Sequence, residues 1–151
     1  MSLPPISNLS MDCLFCKIVA RDIPAEILYE GERAIAILDR YPIHRGHTLI
    51  LPKGHFIDLL QLPADNFQEI MHATRTVADA LVRSLNLQGF NVFSNNGAVA
   101  GQSVFHFHIH VTPRYHDDMI RFAHGHNTYT EGEMAQYGAR IRSSIESNGF
   151  S

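Results

Sequence analysis

From Phe105 to Thr112 apolar and polar residues alternate without a break: Phe105, Phe107, Ile109 and Val111 interleave with His106, His108, His110 and Thr112. Period two is the period of an extended chain, whose successive side chains point to opposite faces. The stretch predicts a β-strand over Phe105–Thr112 with an apolar face for the core and a second face carrying three imidazoles.

The rest of the chain supplies partners for such a strand. Residues 1–10, rich in Ser, Pro and Asn, read as a mobile arm. Leu14, Phe15, Ile18 and Val19 fit a short helix between Cys13 and Arg21, ended before Pro24. Ile27–Glu30 and Ala34–Leu38 read as strands joined by a Gly31-Glu32 turn, and Thr48–Leu51 as a third. After Pro63 the apolar positions Phe67, Ile70, Met71, Thr74, Ala78, Leu81 and Leu85 recur at helical spacing. Asp65 with Gln68 offers a capping box for that helix, whereas Pro63 at its first position would put the cap at Leu62. Phe90–Ser94 is a fourth strand, and a terminal helix is predicted over about 131–147. No repeat or second domain is visible. The order of elements gives an α+β fold: an antiparallel five-stranded sheet with one long helix and short terminal helices, as a single domain over 11–151.

Composition narrows the function classes. A formal charge of -3 across 151 residues provides no field for a polyanion, so nucleic acid is not an expected partner. No apolar run approaches the roughly 20 residues of a membrane span. Met1–Ser10 lacks the charge and apolar pattern of an export signal, so a cytoplasmic protein is expected. Cys13 and Cys16 are the only cysteines. Their C-x-x-C spacing suits half of a metal site or a redox pair in a reducing compartment, or else two core thiols.

The ten histidines are the compositional outlier. Three on one strand face cannot all serve one ion: at about 3.3 Å per residue, His106 and His110 lie roughly 13 Å apart along an extended strand. Metal–nitrogen bonds reach only about 2 Å, so one ion takes at most two neighbours. Just upstream, Asn95-Asn96-Gly97-Ala98-Val99-Ala100-Gly101-Gln102-Ser103 is a loop of small residues, whose amides and Ser103 hydroxyl suit phosphate oxygens. A neutral imidazole beside such a cradle is a competent nucleophile toward phosphorus, and a second can act as acid or bind developing charge.

The run His106-Phe107-His108-Ile109-His110-Val111-Thr112 resembles the signature of the histidine-triad (HIT) superfamily, with histidines alternating with apolar residues. Asp12-Cys13-Leu14-Phe15-Cys16-Lys17-Ile18 is similar to the N-terminal helix of its bacterial branch. Pro42 through His55 (PIHRGHTLILPKGH) resembles the central strand, and Asn95–Ser103 the phosphate loop. The resemblance runs in order over about residues 12–115. It ends after Arg114, where the tail is idiosyncratic within the family and bears on substrate choice.

The resemblance implies a hydrolase or phosphoramidase that cleaves at the α-phosphate of a nucleoside phosphoramidate or dinucleoside polyphosphate. His108 would be the nucleophile that forms a nucleotidyl-histidine. His110, Ser103 and the amides around Gly101 and Gln102 would bind the phosphate or leaving group. Asn95 would lie near ribose and phosphate, and Asp39 would hold ribose hydroxyls; an ordinary turn residue and strand-end acid are the alternatives. His47 matches a family histidine near the triad, or caps a strand. Cys13, Cys16, His55 and His106 would hold a structural zinc, a closed set of two thiolates and two imidazoles. Leu14, Phe15, Ile18 and Leu38 wall a purine pocket or simply fill the core, and His72, His116, His124 and His126 read as ordinary surface histidines. The family also implies a homodimer pairing through the long helix, with Val77 and Val82, and the strand Phe90–Phe93. Two other readings stay open. A nucleotidyltransferase is disfavoured because Phe107 and Ile109 stand where such relatives resemble His-Pro-His. A nucleotide-binding module with little turnover would carry the same residues.

Overall fold

The computed structural model describes residues 9–123 and 125–149; His124 and the greater part of the expected N-terminal arm lie outside them. The chain divides into two compact units, up to Ile120 and from Arg121.

In the first unit, helix α1 (Leu14–Val19) precedes β1 (Ile27–Glu30), β2 (Ala34–Leu38) and β3 (Thr48–Pro52). Helix α2 (Ala64–Leu85), β4 (Gly89–Phe93) and β5 (Ile109–Arg114) follow, with short 3-10 turns at Leu59–Gln61 and Ala98–Ala100. The five strands form one antiparallel sheet in the order β1-β2-β3-β5-β4.

Residue parity on the central strands decides which layer each side chain joins. Ala34 and Ala36 of β2, Ile50 of β3, and Ile109 and Val111 of β5 bury against α2, joined by Phe107. Their neighbours Ile35, Ile37, Leu49 and Leu51 turn to the opposite face and bury against Phe15, Ile18 and Val19 of α1. The small alanines leave room for α2 to lie close on the sheet. Each fully buried aliphatic side chain in these two layers contributes about 1.5–3 kcal/mol.

The buried stripe of α2 is Ile70, Ala73, Thr74, Val77, Ala78 and Leu81. Phe67, Met71 and Leu85, expected on that stripe, stay exposed at the surface. The stripe is thus rotated toward Val77, which is buried in the core and presents nothing to a partner. The expected capping box is absent. Pro63 is the N-cap, with no side-chain cap, and its carbonyl accepts from the Phe67 amide. Asp65 still lies in the first turn, where the helix dipole favours an acid. Farther along, the Glu69 carboxylate accepts the amides of Arg33 and Ala34 and so pins the β1–β2 hairpin to α2.

The histidine strand departs from expectation at its start. β5 begins at Ile109, four residues after Phe105, because the ladder with β3 opens at the pair Ile50–Ile109. Upstream, the Phe107 amide donates instead to the carbonyl of Phe56. The alternation of faces survives without the ladder: Phe107 buries against α2, while His106 and His108 bury on the α1 side.

The second unit holds α3 (Glu133–Asn148), where about 131–147 was expected. Glu133 Oε2 accepts from the Thr130 amide at the helix start, and Met134, Tyr137, Ile141 and Ile145 fall at helical spacing. Among the described residues no helix is long and apolar enough to cross a membrane.

Candidate active site and metal centre

The sheet face toward α1 carries the polar chemistry. On β5, His110 is paired with Leu49 of β3 and Phe93 of β4, and its ring stacks on Phe93 at 4.4 Å and 7°. His108 lies next to it, ring centroids 4.8 Å apart, and also meets Phe15 in a T-shaped contact with centroids 5.1 Å apart.

Hydrogen bonds fix which nitrogen of each ring carries the proton. The carbonyl of His106 lies 2.8 Å from His108 Nδ1, so Nδ1–H donates to it and Nε2 is left with a free lone pair. His47 Nδ1 accepts the Ile43 amide at 3.0 Å, which puts the His47 proton on Nε2. That Nε2–H donates to His110 Nδ1 at 2.9 Å. His110 therefore carries its own proton on Nε2, an atom that is buried and has no hydrogen-bond partner among the described residues. A buried donor left unpaired costs about 1–3 kcal/mol, so the site stores an unmet demand for an acceptor.

Burial keeps these rings uncharged. Desolvation lowers His108, against smaller opposing effects of the His106 carbonyl and the Asp39 charge. Desolvation, then the neighbouring His108 and His47, push His110 down to about 4. His47 is lowered by burial, partly offset by Asp39.

Asp39 lies at the end of β2, with one oxygen accepting the Tyr41 amide at 2.9 Å and the other 3.6 Å from His47 Nδ1. His47 thus combines both expected roles: its Nδ1 ties down the Ile43 amide ahead of β3, and its Nε2–H reaches His110.

The loop over residues 95–103 is built by two glycines at positive φ, Gly97 (91°) and Gly101 (92°), a region open to glycine at little cost. The Gln102 side chain braces the loop from within. Its Oε1 accepts from Gly97 N–H, and its Nε2 donates to the carbonyls of Ile57 and Val104. The amides of Gly101 and Gln102 donate to Ala98 and Gly97, so both residues shape the loop and do not offer free donors. Ser103 is exposed, and Asn95 lies beside Gly101 with its amide 3.5 Å from where a Cβ would stand. No hydrogen bond joins Ser103 to the imidazoles among the described residues. The internal role of Gln102 has no sequence signature, because a loop glutamine reads equally well as a ligand contact. The stacking of Phe93 on His110 was hidden for a similar reason, since only strand register reveals it.

The other face of His106 meets the cysteines. His106 Nδ1 lies 3.4 Å from Cys13 Sγ and 3.5 Å from Cys16 Sγ, and His55 Nδ1 lies 3.3 Å from Cys16 Sγ. The four ligand atoms sit within 4.8 Å of one another. His106 Nε2–H donates to the Pro52 carbonyl at 2.9 Å, which leaves the Nδ1 lone pair facing the sulfurs. A ring held this way by a backbone carbonyl is the usual outer support of a metal-ligating histidine. Burial pushes the Cys16 thiol up to about 11 and His106 down to about 4. A buried neutral imidazole and a Cys16 thiol that burial holds protonated until a cation is present, set beside Cys13 and His55, suit zinc in tetrahedral S2N2 coordination. One residue thus serves both centres, through its ring on the cysteine side and its carbonyl on the His108 side.

The HIT domain model matches residues 20–117. Adenylylsulfatase HINT3 of Arabidopsis thaliana is 39% identical over 114 residues, 76% of this chain and 58% of that protein. A solved structure from Streptococcus mutans UA159 superposes with a TM-score of 0.86 at 34% identity, covering 92% of this chain and 88% of the other. A zinc-bound histidine triad family protein from Mycobacterium smegmatis superposes with a TM-score of 0.70 at 36% identity, covering 89% and 98%. Signature, fold and site agree with these matches: the chain belongs to the HIT family.

Proposed function

We propose that this chain hydrolyses nucleoside phosphoramidates or dinucleoside polyphosphates at the α-phosphate through a nucleotidyl-histidine on His108. The observation that carries this reading is the chain of hydrogen bonds that leaves a bare lone pair on His108 Nε2 beside a buried, unanswered N–H on His110. His108 Nε2 attacks phosphorus and the bond to the leaving group breaks. The His106 carbonyl holds Nδ1–H while the ring becomes cationic. His110 Nε2–H donates to a phosphoryl oxygen as charge builds there. Water then attacks the phosphorus and loses its proton to solvent, the bond to His108 Nε2 breaks, and the nucleoside monophosphate departs from the neutral ring. Asp39 and Asn95 hold the ribose and Ser103 meets the leaving group. Leu14, Phe15, Ile18 and Leu38 border the base, with Phe15 also packed on His108.

Zinc on Cys13, Cys16, His55 and His106 is structural in this reading, its four positions filled by protein and none left for substrate. The chain acts in the cytoplasm as a homodimer. The two copies meet over the apolar surface of Met71, Val82, Phe90 and Val92, which lies between α2 and the outer edge of the sheet. The adenylylsulfatase activity of the Arabidopsis relative supports a nucleotide substrate.

The test is incubation of the purified protein with an adenosine phosphoramidate and with a dinucleoside polyphosphate, following release of nucleoside monophosphate. Turnover of either upholds the hydrolase reading. Tight nucleotide binding without turnover of both would make the protein a binding module instead.

A further inference from the structure

The cysteine pair sits where oxidation can reach one sulfur and not the other. Cys13 is partly exposed and lines an open cavity with Ser10, Asp12, Leu14, Ser103 and Phe105, whereas Cys16 is buried behind it. The sulfurs lie within 4.8 Å of each other, and Cys13 is the N-cap of α1 with Cys16 in its first turn. Both flank the single nitrogen His106 Nδ1. The same residue 106 holds His108 by its carbonyl.

We propose that Cys13 and Cys16 form a hydroperoxide-sensitive modification site whose oxidation to a disulfide releases the metal and disables His108. The proposal rests on the nucleotide-hydrolase reading for what is disabled, though its chemistry does not. Cys13 sulfur attacks the terminal oxygen of a hydroperoxide and the O–O bond breaks. Cys13 becomes a sulfenic acid and the peroxide leaves as the alcohol, or as water from hydrogen peroxide. Cys16 sulfur then attacks the Cys13 sulfur, the S–S bond forms and water departs. The two thiols have lost two protons and two electrons, and the peroxide has gained them. A disulfide is a poor metal ligand, so the site falls to two imidazoles, His55 and His106, too few for a closed tetrahedron. His106 then loses one of its two anchors, and the carbonyl that fixes the His108 tautomer loses its registration.

The test uses the full, zinc-loaded chain titrated with hydrogen peroxide. Free thiols, zinc captured by a chromophoric chelator, and nucleoside phosphoramidate turnover are followed together. Zinc release in step with loss of both thiols, a Cys13–Cys16 disulfide in the peptide map, and turnover lowered by about tenfold or more are expected. Dithiothreitol with added zinc should restore all three. In Cys16→Ser the sulfenic acid at Cys13 cannot be resolved and should be trapped by dimedone; absence of that adduct overturns the assignment of Cys13 as the attacked sulfur. Over-oxidation of Cys13 to a sulfinic acid with no disulfide, or full turnover by the disulfide form, overturns the proposal. If the reduced protein cleaves no nucleotide, the hydrolase reading fails alone. The coupling is then read from the His108 ring resonances, which must shift on oxidation if the proposal holds and stay unmoved if it does not.

Discussion

His47 donates from Nε2 to Nδ1 of His110 across 2.9 Å, and this bond decides which nitrogen of His110 carries the proton. A ring outside the triad thereby sets the chemistry of a ring within it. Replacing His47 with Phe removes the donor while keeping a ring of similar bulk. Turnover should fall by about 10–100-fold, the usual cost of deleting an outer-shell partner. Nucleoside monophosphate affinity should change less. An unchanged kcat in steady-state kinetics would show that His110 needs no such director.

His108→Ala should lose nearly all turnover and still bind nucleoside monophosphate, because the loop from Gly97 to Ser103 is braced by Gln102 and not by His108. Single-turnover kinetics beside calorimetric binding separate the two quantities. Residual catalysis within about tenfold of the parent would remove His108 from the nucleophile role.

Acid should weaken the fold through His110. Its ring titrates near 4 in the folded chain, against an ordinary value near 6.5. Above pH 6.5 folded and unfolded chains both hold it neutral, and its contribution is complete. As pH falls toward 4 the unfolded chain takes up the proton first, so folding stability drops across that window. Denaturant midpoints between pH 7 and 4 should decline in the parent and less steeply in His110→Leu. Equal slopes would place the acid sensitivity elsewhere.

Thr112 is fully buried, and its hydroxyl has no hydrogen-bond partner among the described residues. Thr112→Val keeps the shape and deletes the unmet polar group, whose burial costs about 1–3 kcal/mol. A melting temperature raised by about 2–4 °C is expected for each kcal/mol recovered. A lowered melting temperature would mean that the hydroxyl has a partner in solution.

Protein purified without chelator should carry one zinc per chain. Cys13→Ser should lose most of it and melt at a lower temperature while still binding nucleoside monophosphate. Elemental analysis and thermal melts check this, and a metal-free chain of undiminished stability would exclude a structural ion.

The sheet and long helix were legible in the sequence because period two and period 3.6 are written directly into the order of apolar residues. Ile70, Thr74, Ala78 and Leu81 bury as the spacing predicts, but the α2 stripe is rotated to take in Ala73 and Val77 in place of Phe67 and Met71, which look like core residues until the sheet shows which face it offers. β5 was begun four residues early, at Phe105. Alternating faces do not require a ladder, and here the Phe107 amide is taken by Phe56 outside the sheet. The triad histidines and the cysteines stood out by spacing alone. What spacing could not carry was proton placement. That depends on the Pro52 and His106 carbonyls and the Ile43 amide, backbone groups that every residue possesses.

The pairing of Leu49 with His110 has a bearing on how such a chain fails. Neighbouring residues on β5 belong to opposite layers, so a slip of one residue between β3 and β5 would drive His110 into the α2 core and pull Ile109 and Val111 out of it. A misaligned chain could not keep its shape while losing its chemistry. Quality control that detects exposed apolar surface would therefore also remove inactive copies, with no separate inspection of the histidines.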